Sequence, residues 1–301
     1  MMKLVLNKLR YLLGNIFGFI LFLFAGKKIL LSKIDRNSVL AIYFHNPSVI
    51  VFETVIKWLV KYDFNIIAIK EFQESFEKHE CKRERTVFIS FDDAWSGNID
   101  LISIIEKYNI PIIVFVATQA IQDGQIWLNI VRKQFDNIEN KIKLGINVSN
   151  IKSIPQLKAL ELYKAALNKG IVKREIMTRE ELIKFSKRVS IGSHTVTHPI
   201  LVNCNDKVIK FELNKSESIL KSWGLNVNKT FAYPNGSYNT NVVSILRDSS
   251  YEYAFTTKAQ IIELNTDKNN YTIPRICIPD NFGKYENLAR MSGIWSKIFK
   301  D

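Results

Sequence analysis

The stretch Thr86-Val-Phe-Ile-Ser-Phe-Asp-Asp93 combines β-branched and aromatic residues and ends in two adjacent carboxylates. Such an apolar run predicts a buried β-strand. Two further runs of this kind, Val39–Phe44 and Ile112–Ala117, are separated from it by segments of helical periodicity at Phe52–Tyr62 and Ile99–Tyr108. Strands that alternate with helices predict a parallel α/β sheet or barrel, and a chain of 301 residues is long enough to build it as one unit.

The segments outside these strands give further expectations. Glu71–Arg85 is rich in charged residues and predicts a solvent-exposed helix. Residues 122–177 are rich in Lys, Asn and Ile, and we interpret them as a helical insertion into the barrel. Thr178 and Glu181 have the spacing of a capping box, which predicts that a helix begins there.

Three polar clusters each follow a predicted strand. Because parallel α/β barrels carry their active sites at the carboxyl ends of several strands, the shared position predicts a common site. Adjacent carboxylates leaving a strand point in different directions, so that one can bind a metal while the other acts as a base. Two imidazoles at positions i and i+4 can face one ion. The clusters are Ser90-Phe91-Asp92-Asp93, Ser193-His194-Thr-Val-Thr-His198-Pro199 and Phe231-Ala-Tyr-Pro-Asn-Gly236.

Each cluster taken alone also has a purely structural interpretation. The two aspartates can form a solvated turn, and the two histidines can lie in a surface loop. The Pro-Asn-Gly turn can expose a backbone N–H that stabilises an oxyanion, or it can simply reverse the chain. These alternatives remain open when the clusters are considered one at a time.

In order and in combination, the clusters resemble the first three motifs of the polysaccharide deacetylase family, also called the NodB-homology family or carbohydrate esterase family 4. The resemblance covers about residues 39–280. It implies an α/β fold, a distorted (β/α)7 barrel, which we place at residues 37–301 behind an N-terminal apolar segment at residues 1–36. It also implies a divalent metal cofactor; zinc is the preferred ion, and cobalt or nickel suit the same ligands.

The resemblance assigns roles to individual residues. Asp92 is expected to be the general base, and Asp93 is expected to bind the metal together with His194 and His198. The backbone N–H of Asn235 is expected to stabilise the oxyanion. A carboxylate and two imidazoles leave coordination positions open for water and a substrate carbonyl, which agrees with hydrolytic chemistry.

The chain departs from the family pattern at three positions. Ala94 stands where the family usually has Gly, and a positive φ there would be mildly strained. Ala232 stands where an Arg often pairs with the base; Arg275 is the predicted substitute that keeps Asp92 ionised, with an ordinary surface Arg as the alternative. No His follows the second motif, so His45 is predicted to be the general acid, unless it merely caps a strand.

The N-terminus predicts contact with a membrane. Residues 11–26 carry no charge, and basic residues flank them on both sides. The run is short for a spanning helix and lacks a convincing cleavage site, so an uncleaved helix at the bilayer interface is expected. A cleaved signal and a buried helix are the alternatives. The flanking charges give no clear orientation; the cytoplasmic side of an inner membrane is preferred, and a periplasmic or exported location is the alternative.

The net charge of +13 raises the affinity for anionic lipids, phosphates and nucleic acids. The basic residues are spread along the sequence without an aromatic-interleaved cluster, so no nucleic-acid partner is predicted. The cysteines at 81, 204 and 277 are far apart and show neither a disulfide framework nor zinc-ribbon spacing.

These observations predict a metal-dependent hydrolase that removes N-acetyl groups from N-acetylhexosamine units of a cell-surface polysaccharide or its lipid-linked precursor. A catalytically inactive glycan-binding relative at the membrane is one alternative, supported by Ala232 and the unusual acid position. A membrane scaffold in which the barrel is incidental is another.

Overall fold

The computed structural model describes residues 2–135, 152, 156–167, 173–266, 269–280 and 282–299. The strands are β1 Ser38–Phe44, β2 Asn65–Ile67, β3 Thr86–Asp92, β4 Ile113–Val116, β5 Ser190–Ser193, β6 Val227–Ala232, β7 Tyr253–Phe255, β8 Ile262–Glu263 and β9 Ile276–Cys277. The α-helices are Met2–Leu21, Lys27–Ser32, Val49–Lys61, Ile69–Lys78, Ile102–Lys107, Thr118–Asp123, Trp127–Phe135, Gln156–Leu167, Arg179–Phe185, Asp206–Ser222, Thr240–Arg247, Lys284–Met291 and Ile294–Ile298. A π-helical turn, Phe22–Gly26, joins the first two helices, and 3₁₀ turns occur at Ser96–Leu101, Leu201–Asn203 and Pro234–Gly236.

The strands form one curved sheet in the order β7-β6-β5-β4-β3-β1-β8, in which only β8 runs antiparallel to its neighbour. Strand β9 pairs with the second half of β1, and β2 pairs with the first half of β3. A bridge between Phe255 and Ile273 links β7 to the segment that leads into β9. The result is a half-barrel of parallel strands surrounded by helices, and the predicted fold class is confirmed.

The two central strands, β1 and β3, are buried along their full length, which explains their nearly continuous apolar sequences. Side chains on the outer face meet the surrounding helices, as where the ring of Phe44 lies 5.6 Å from that of Phe52. On β3 the inner-face positions change from apolar Phe88 to polar Ser90 and Asp92 toward the end of the strand. Because the neighbouring strands are parallel, the polar clusters that follow β3, β5 and β6 lie together at the carboxyl edge.

The expectation that Glu71–Arg85 forms a solvent-exposed helix is wrong. The helix covers only Ile69–Lys78, and Phe72 and Phe76 are buried inside the barrel. The ring of Phe72 lies 4.7 Å from that of Phe88 on β3. The apolar residues recur at helical spacing among the charges, so one stripe of an otherwise charged helix faces the core. This helix fills the barrel below the carboxyl edge.

The predicted insertion at residues 122–177 is described only in part. Helices Trp127–Phe135 and Gln156–Leu167 lie within it, whereas residues 136–151, 153–155 and 168–172 fall outside the described residues. The capping box at its end is confirmed, because Glu181 N donates to Thr178 Oγ1 and Thr178 N donates to Glu181 Oε2. Its character as an insertion stays a prediction.

The N-terminal helix extends beyond the uncharged run at residues 11–26. Leu9–Ser32 is continuously helical over 24 residues with a mean hydropathy of 1.7, which is long and apolar enough to cross a membrane. Length and composition of this kind suit a membrane anchor or a signal sequence. The helix also packs against the helix Lys284–Met291, so it is part of the folded body.

Candidate active site

The three residues predicted to bind a metal converge from two strand ends. Asp93 directly follows β3 and His194 directly follows β5, while His198 lies in the turn beyond β5. One ligand atom from each residue lies within 4.8 Å of the others. The Oδ1 atom of Asp93 is 3.6 Å from His194 Nε2 and 3.4 Å from His198 Nε2. All three side chains are buried.

Hydrogen bonding determines which nitrogen of His194 carries the proton. Its Nδ1 lies 2.6 Å from the carbonyl oxygen of Ala232, and only an N–H can make that contact. In the neutral ring, Nε2 therefore presents a lone pair to Asp93. Burial lowers the pKa of both His194 and His198 to about 4, so both imidazoles are neutral near pH 7.

Asp93 Oδ1 and His194 Nε2 are thus two acceptors that face each other in a buried space, with His198 Nε2 beside them. Asp93 Oδ1 has no hydrogen-bond partner among the described residues, although burial makes an unsatisfied carboxylate oxygen costly. A cation between Asp93 Oδ1 and the two Nε2 atoms would satisfy all three groups at once. The arrangement of one carboxylate and two neutral imidazoles therefore fits a divalent metal of the zinc type.

The backbone around the candidate ligands is strained. Asp93, Ala94, Thr195 and His198 have φ angles of 76°, 56°, 72° and 55°, in the left-handed region that side-chain-bearing residues rarely adopt. Each such residue costs on the order of 1–3 kcal/mol, and such strain is concentrated at functional sites. A positive φ was considered at Ala94 because the family usually has Gly at this position, and the structure shows it.

Glu212 stabilises the turn between the two histidines, and sequence reasoning missed it. Its Oε2 accepts hydrogen bonds from Val196 N at 2.7 Å and Thr197 N at 2.9 Å, while its Oε1 accepts one from Thr197 Oγ1 at 2.6 Å. The carboxylate is buried, and burial raises its pKa. A signal existed in the sequence, because Glu212 lies between Ile209 and Leu213 on the apolar stripe of the helix Asp206–Ser222.

Two tryptophans that sequence reasoning also missed contact the candidate ligands. Trp95 Nε1 donates to Asp93 Oδ2 at 3.2 Å, and Trp127 Nε1 donates to the backbone oxygen of His198 at 2.7 Å. The first bond leaves Asp93 Oδ1 as the oxygen that faces the histidines. Neither tryptophan belongs to a sequence motif that would have identified this role.

Asp92, adjacent to Asp93, has an entirely different environment. Arg275 donates to Oδ1 at 2.8 Å through Nη1 and to Oδ2 at 2.9 Å through Nη2, so the pair is bidentate and fully buried. Arg275 also donates to Ser90 Oγ and to the backbone oxygen of Thr256. Arg275 was predicted to replace the cation that is missing at Ala232, and it does contact the carboxylate of Asp92.

The pairing determines the charge of Asp92. Burial alone would raise its pKa, but the Arg275 guanidinium holds it below the usual value. Aromatic rings enclose the guanidinium, whose Cζ lies 4.4 Å from the ring centre of Tyr43 and 5.3 Å from that of Phe115. Asp92 is consequently ionised near neutral pH in a site that excludes bulk water.

The remaining predicted residues border the same edge. His45 follows β1; burial by itself would lower its pKa, but a hydrogen bond with the Cys277 side chain and the carboxylates of Asp93 and Asp92 raise it to about 10. Asn235 lies in the turn after β6 with φ 59°, three residues beyond the Ala232 carbonyl that holds His194. His45 thus follows the strand that pairs with β3, and Asn235 follows the strand whose last residue holds His194.

Comparison with known sequences identifies the class of protein. The sequence model described as polysaccharide deacetylase matches residues 79–254, more than half of the chain, and the chain belongs to that family. It is similar to the poly-β-1,6-N-acetyl-D-glucosamine N-deacetylase of Staphylococcus aureus strain MSSA476, with 27% identity over 240 residues that cover 79% of this chain and 69% of the relative. The Staphylococcus epidermidis protein of the same name is 25% identical over 233 residues, covering 76% of this chain and 67% of that protein.

Solved structures show the same fold. The Streptococcus pyogenes deacetylase PplD in complex with acetate superposes with a TM-score of 0.61 at 16% identity, covering 84% of this chain and 98% of that one. A polysaccharide deacetylase from Bacillus cereus gives 0.57 at 15% identity, covering 84% and 69%. The predicted family and enzyme class are confirmed: the chain is a polysaccharide deacetylase.

Proposed function

We propose that this protein removes N-acetyl groups from a polymer of N-acetylhexosamine, either a cell-surface polysaccharide or its lipid-linked precursor, and that a divalent metal is required. The substrate of the staphylococcal relatives, poly-β-1,6-N-acetyl-D-glucosamine, is the first candidate. Zinc is the preferred ion, and cobalt or nickel suit the same donors.

The observation that carries the proposal is the unsatisfied Oδ1 of Asp93 facing two neutral imidazole nitrogens. When bound there, the cation would supply Lewis acidity to the acetamide carbonyl and to a water molecule. Asp93, His194 and His198 would hold it. Trp95 and Glu212 would maintain the orientation of the donors, because they fix the second oxygen of Asp93 and the turn between the histidines.

Asp92 is proposed as the general base that takes a proton from the attacking water. It is ionised near pH 7, and each carboxylate oxygen keeps a lone pair beyond the one that Arg275 occupies. Arg275 lowers the basicity of Asp92. It also prevents the protonation of this carboxylate that burial alone would favour. The pair therefore keeps a base available in an otherwise dry site.

His45 and Asn235 are proposed for the other end of the reaction. The raised pKa keeps the His45 imidazole protonated near neutral pH, so that it holds a proton for the departing amine. The backbone N–H of Asn235 would stabilise negative charge on the acetamide oxygen. A divalent cation on Asp93 would lower the pKa of His45. Activity should therefore fall as His45 loses its proton, at a pH below 10. The residual activity of His45→Ala should not show this alkaline fall.

Membrane association is a further part of the proposal. The Leu9–Ser32 helix exposes large apolar side chains, among them Phe24, whose exposed fraction is 79%. An apolar face of this size favours contact with acyl chains. We place the enzyme at an inner membrane, on the cytoplasmic side in preference to the periplasm.

The activity is tested by measuring acetate release from a panel of N-acetylated glycans, including poly-β-1,6-N-acetylglucosamine and chitin oligosaccharides. Release should depend on added zinc, cobalt or nickel after treatment with a chelator. Undiminished release from the metal-free protein would contradict the metal requirement. Binding of the polymer without acetate release under every metal condition would favour the inactive glycan-binding alternative. One argument for that alternative was the absence of an Arg at position 232. Arg275 already supplies this cation to Asp92.

A further inference from the structure

The N-terminal helix is docked in a fixed position on the catalytic body. It packs closely against the helix Lys284–Met291: a Cβ added at Gly14 would lie near Glu286 Oε2, and one at Gly18 would lie within 2.4 Å of Glu286 N. Asn15 Oδ1 accepts a hydrogen bond from Tyr285 N at 2.9 Å. At Gly18 the neighbouring atoms belong to the backbone, so only glycine permits this approach there, and the helix packs directly against the barrel.

Docking leaves the opposite face of the helix uncovered. Its exposed apolar side chains extend over several turns, and the exposed fractions range from 44% to 79%. These side chains are Leu9, Leu12, Leu13, Ile16, Phe17, Ile20, Leu23 and Phe24. We refer to this set as the apolar face.

A groove of about 420 Å³ lies beside the apolar face, between the N-terminal helix and the helices Val49–Lys61 and Lys284–Met291. Its floor is apolar and aromatic, and the rings of Phe22 and Trp58 meet there edge to face at 5.6 Å. The other apolar lining residues are Phe19, Leu23, Tyr62, Tyr285 and Leu288. Phe19 and Leu23 connect the groove to the apolar face.

Four lysines surround this floor: Lys27, Lys57, Lys61 and Lys284. Lys57 pairs with Glu53 at 3.0 Å, but the described residues contain no carboxylate paired with the other three. The ammonium groups of Lys27 and Lys284 lie 5.1 and 5.2 Å from the ring centres of Tyr62 and Tyr285. The groove therefore combines an apolar floor with uncompensated positive charge.

We propose that this groove binds an anionic phospholipid of the membrane on which the apolar face rests. The phosphate would contact Lys27, Lys61 and Lys284, and the acyl chains would cross the aromatic floor to join the bilayer beside the apolar face. Basic pockets next to membrane-embedded helices are suited to such headgroups. The inference depends on the membrane association proposed above.

The position of the groove separates it from the catalytic edge. The helix Val49–Lys61 begins just after His45, and the groove residues that it contributes lie from its middle, at Thr54, to its other end, at Lys61. A rise of about 1.5 Å per residue puts roughly 20 Å between the two ends. A lipid held in the groove would therefore fix the orientation of the barrel on the membrane without occupying the candidate active site.

The test is flotation of the full-length protein with phosphatidylcholine vesicles, with or without phosphatidylglycerol. The variant Lys27→Gln/Lys61→Gln/Lys284→Gln should lose about two orders of magnitude of the phosphatidylglycerol-dependent affinity. The matched control, Lys207→Gln/Lys210→Gln/Lys215→Gln, removes three exposed lysines from the helix Asp206–Ser222 and should bind nearly as the natural protein does. Deacetylation of a soluble oligosaccharide should be unchanged in both variants, which shows that they are folded.

The outcomes separate the groove from the membrane association itself. Equal losses of phosphatidylglycerol-dependent affinity in the two triple variants, or no loss in either, would contradict lipid binding in the groove. Such results would leave the proposed membrane association intact. No flotation of the natural protein on any vesicle would overturn both. Release of bound protein by millimolar glycerol phosphate or inorganic phosphate would identify a site for soluble phosphate and contradict the lipid assignment.

Discussion

At the carboxyl edge of the sheet, charged and polar side chains are buried, whereas on the N-terminal helix large apolar side chains are exposed. Asp92, Asp93 and Arg275 are each no more than 5% exposed, and Phe24 is 79% exposed. Both regions reverse the usual distribution, in which charges contact water and apolar groups fill the core. Departures of this kind mark functional sites, where residues that bind a partner are present although they lower the stability of the fold. The partners that we propose at the edge are a cation and a substrate, and the partner that we propose at the helix is a lipid surface.

The two regions should therefore respond differently to substitution. Changes at the edge should reduce turnover, metal affinity or folding stability. Changes on the apolar face should leave all three nearly intact and alter only membrane binding.

The largest effect is expected from Asp92→Asn. Loss of the proposed base should reduce turnover about 10²- to 10⁴-fold, because a general base contributes that much, while metal content stays unchanged. Acetate release and metal analysis on the same preparation measure both. Asp100→Asn, at an exposed carboxylate of the Ser96–Leu101 turn, is the control. Turnover of Asp92→Asn equal to that of the control would remove Asp92 from the mechanism.

Arg275→Met should lower the free energy of unfolding by about 3–5 kcal/mol, since it leaves the buried Asp92 carboxylate without its partner. Asp92→Asn/Arg275→Met should be much less destabilised, because no unpaired charge remains. Urea unfolding of the four proteins in this cycle measures the coupling. Additive effects of the two substitutions would mean that the bidentate pair does not contribute as a unit.

A smaller effect is expected from Glu212→Gln. The amide cannot accept all the hydrogen bonds that Val196 and Thr197 donate, so the turn should loosen and metal affinity should fall about 10- to 100-fold. Glu217→Gln, on the same helix but bonded to Lys221, is the matched control. Competition with a chromogenic chelator measures the affinity, and equal affinities of the two variants would show that Glu212 is only structural.

The smallest effect on the folded enzyme is expected from Leu12→Ser/Phe17→Ser/Phe24→Ser on the apolar face. These exposed positions should change the free energy of unfolding by no more than about 0.5 kcal/mol each and should spare turnover of a soluble substrate. Binding to neutral vesicles should fall. Gly18→Ala, on the docked face, is the contrasting variant and should destabilise the fold. A loss of turnover in the serine variant would break the distinction between the two regions.

Much of this architecture was predictable from local sequence. The strands β1, β3 and β4 were evident because strands buried on both faces are nearly continuous apolar runs. The three polar clusters were predictable because each directly follows a strand. Arg275 was found by asking which cation replaces the one missing at Ala232, a question that only the family resemblance raised.

Contacts between distant segments were not predictable in the same way. Glu212 and Trp127 reach the histidine turn from separate helices, and nothing in their own neighbourhoods indicates that destination. The charge of Glu71–Arg85 hid the stripe of Phe72 and Phe76, because the average composition of a segment does not show which side of the helix faces the core. The docking of the N-terminal helix likewise depends on Gly18, whose backbone neighbour, Glu286, is more than 260 residues away.

The central claim is that Asp93, His194 and His198 bind one divalent cation beside an ionised Asp92. Metal analysis by inductively coupled plasma mass spectrometry, after equilibration with zinc and desalting, tests it most directly on the natural protein, Asp92→Asn, Asp93→Ala and His198→Ala. We expect one ion per chain in the first two proteins and little or none in the last two. Equal metal content in all four, or none in the natural protein while it releases acetate, would contradict it.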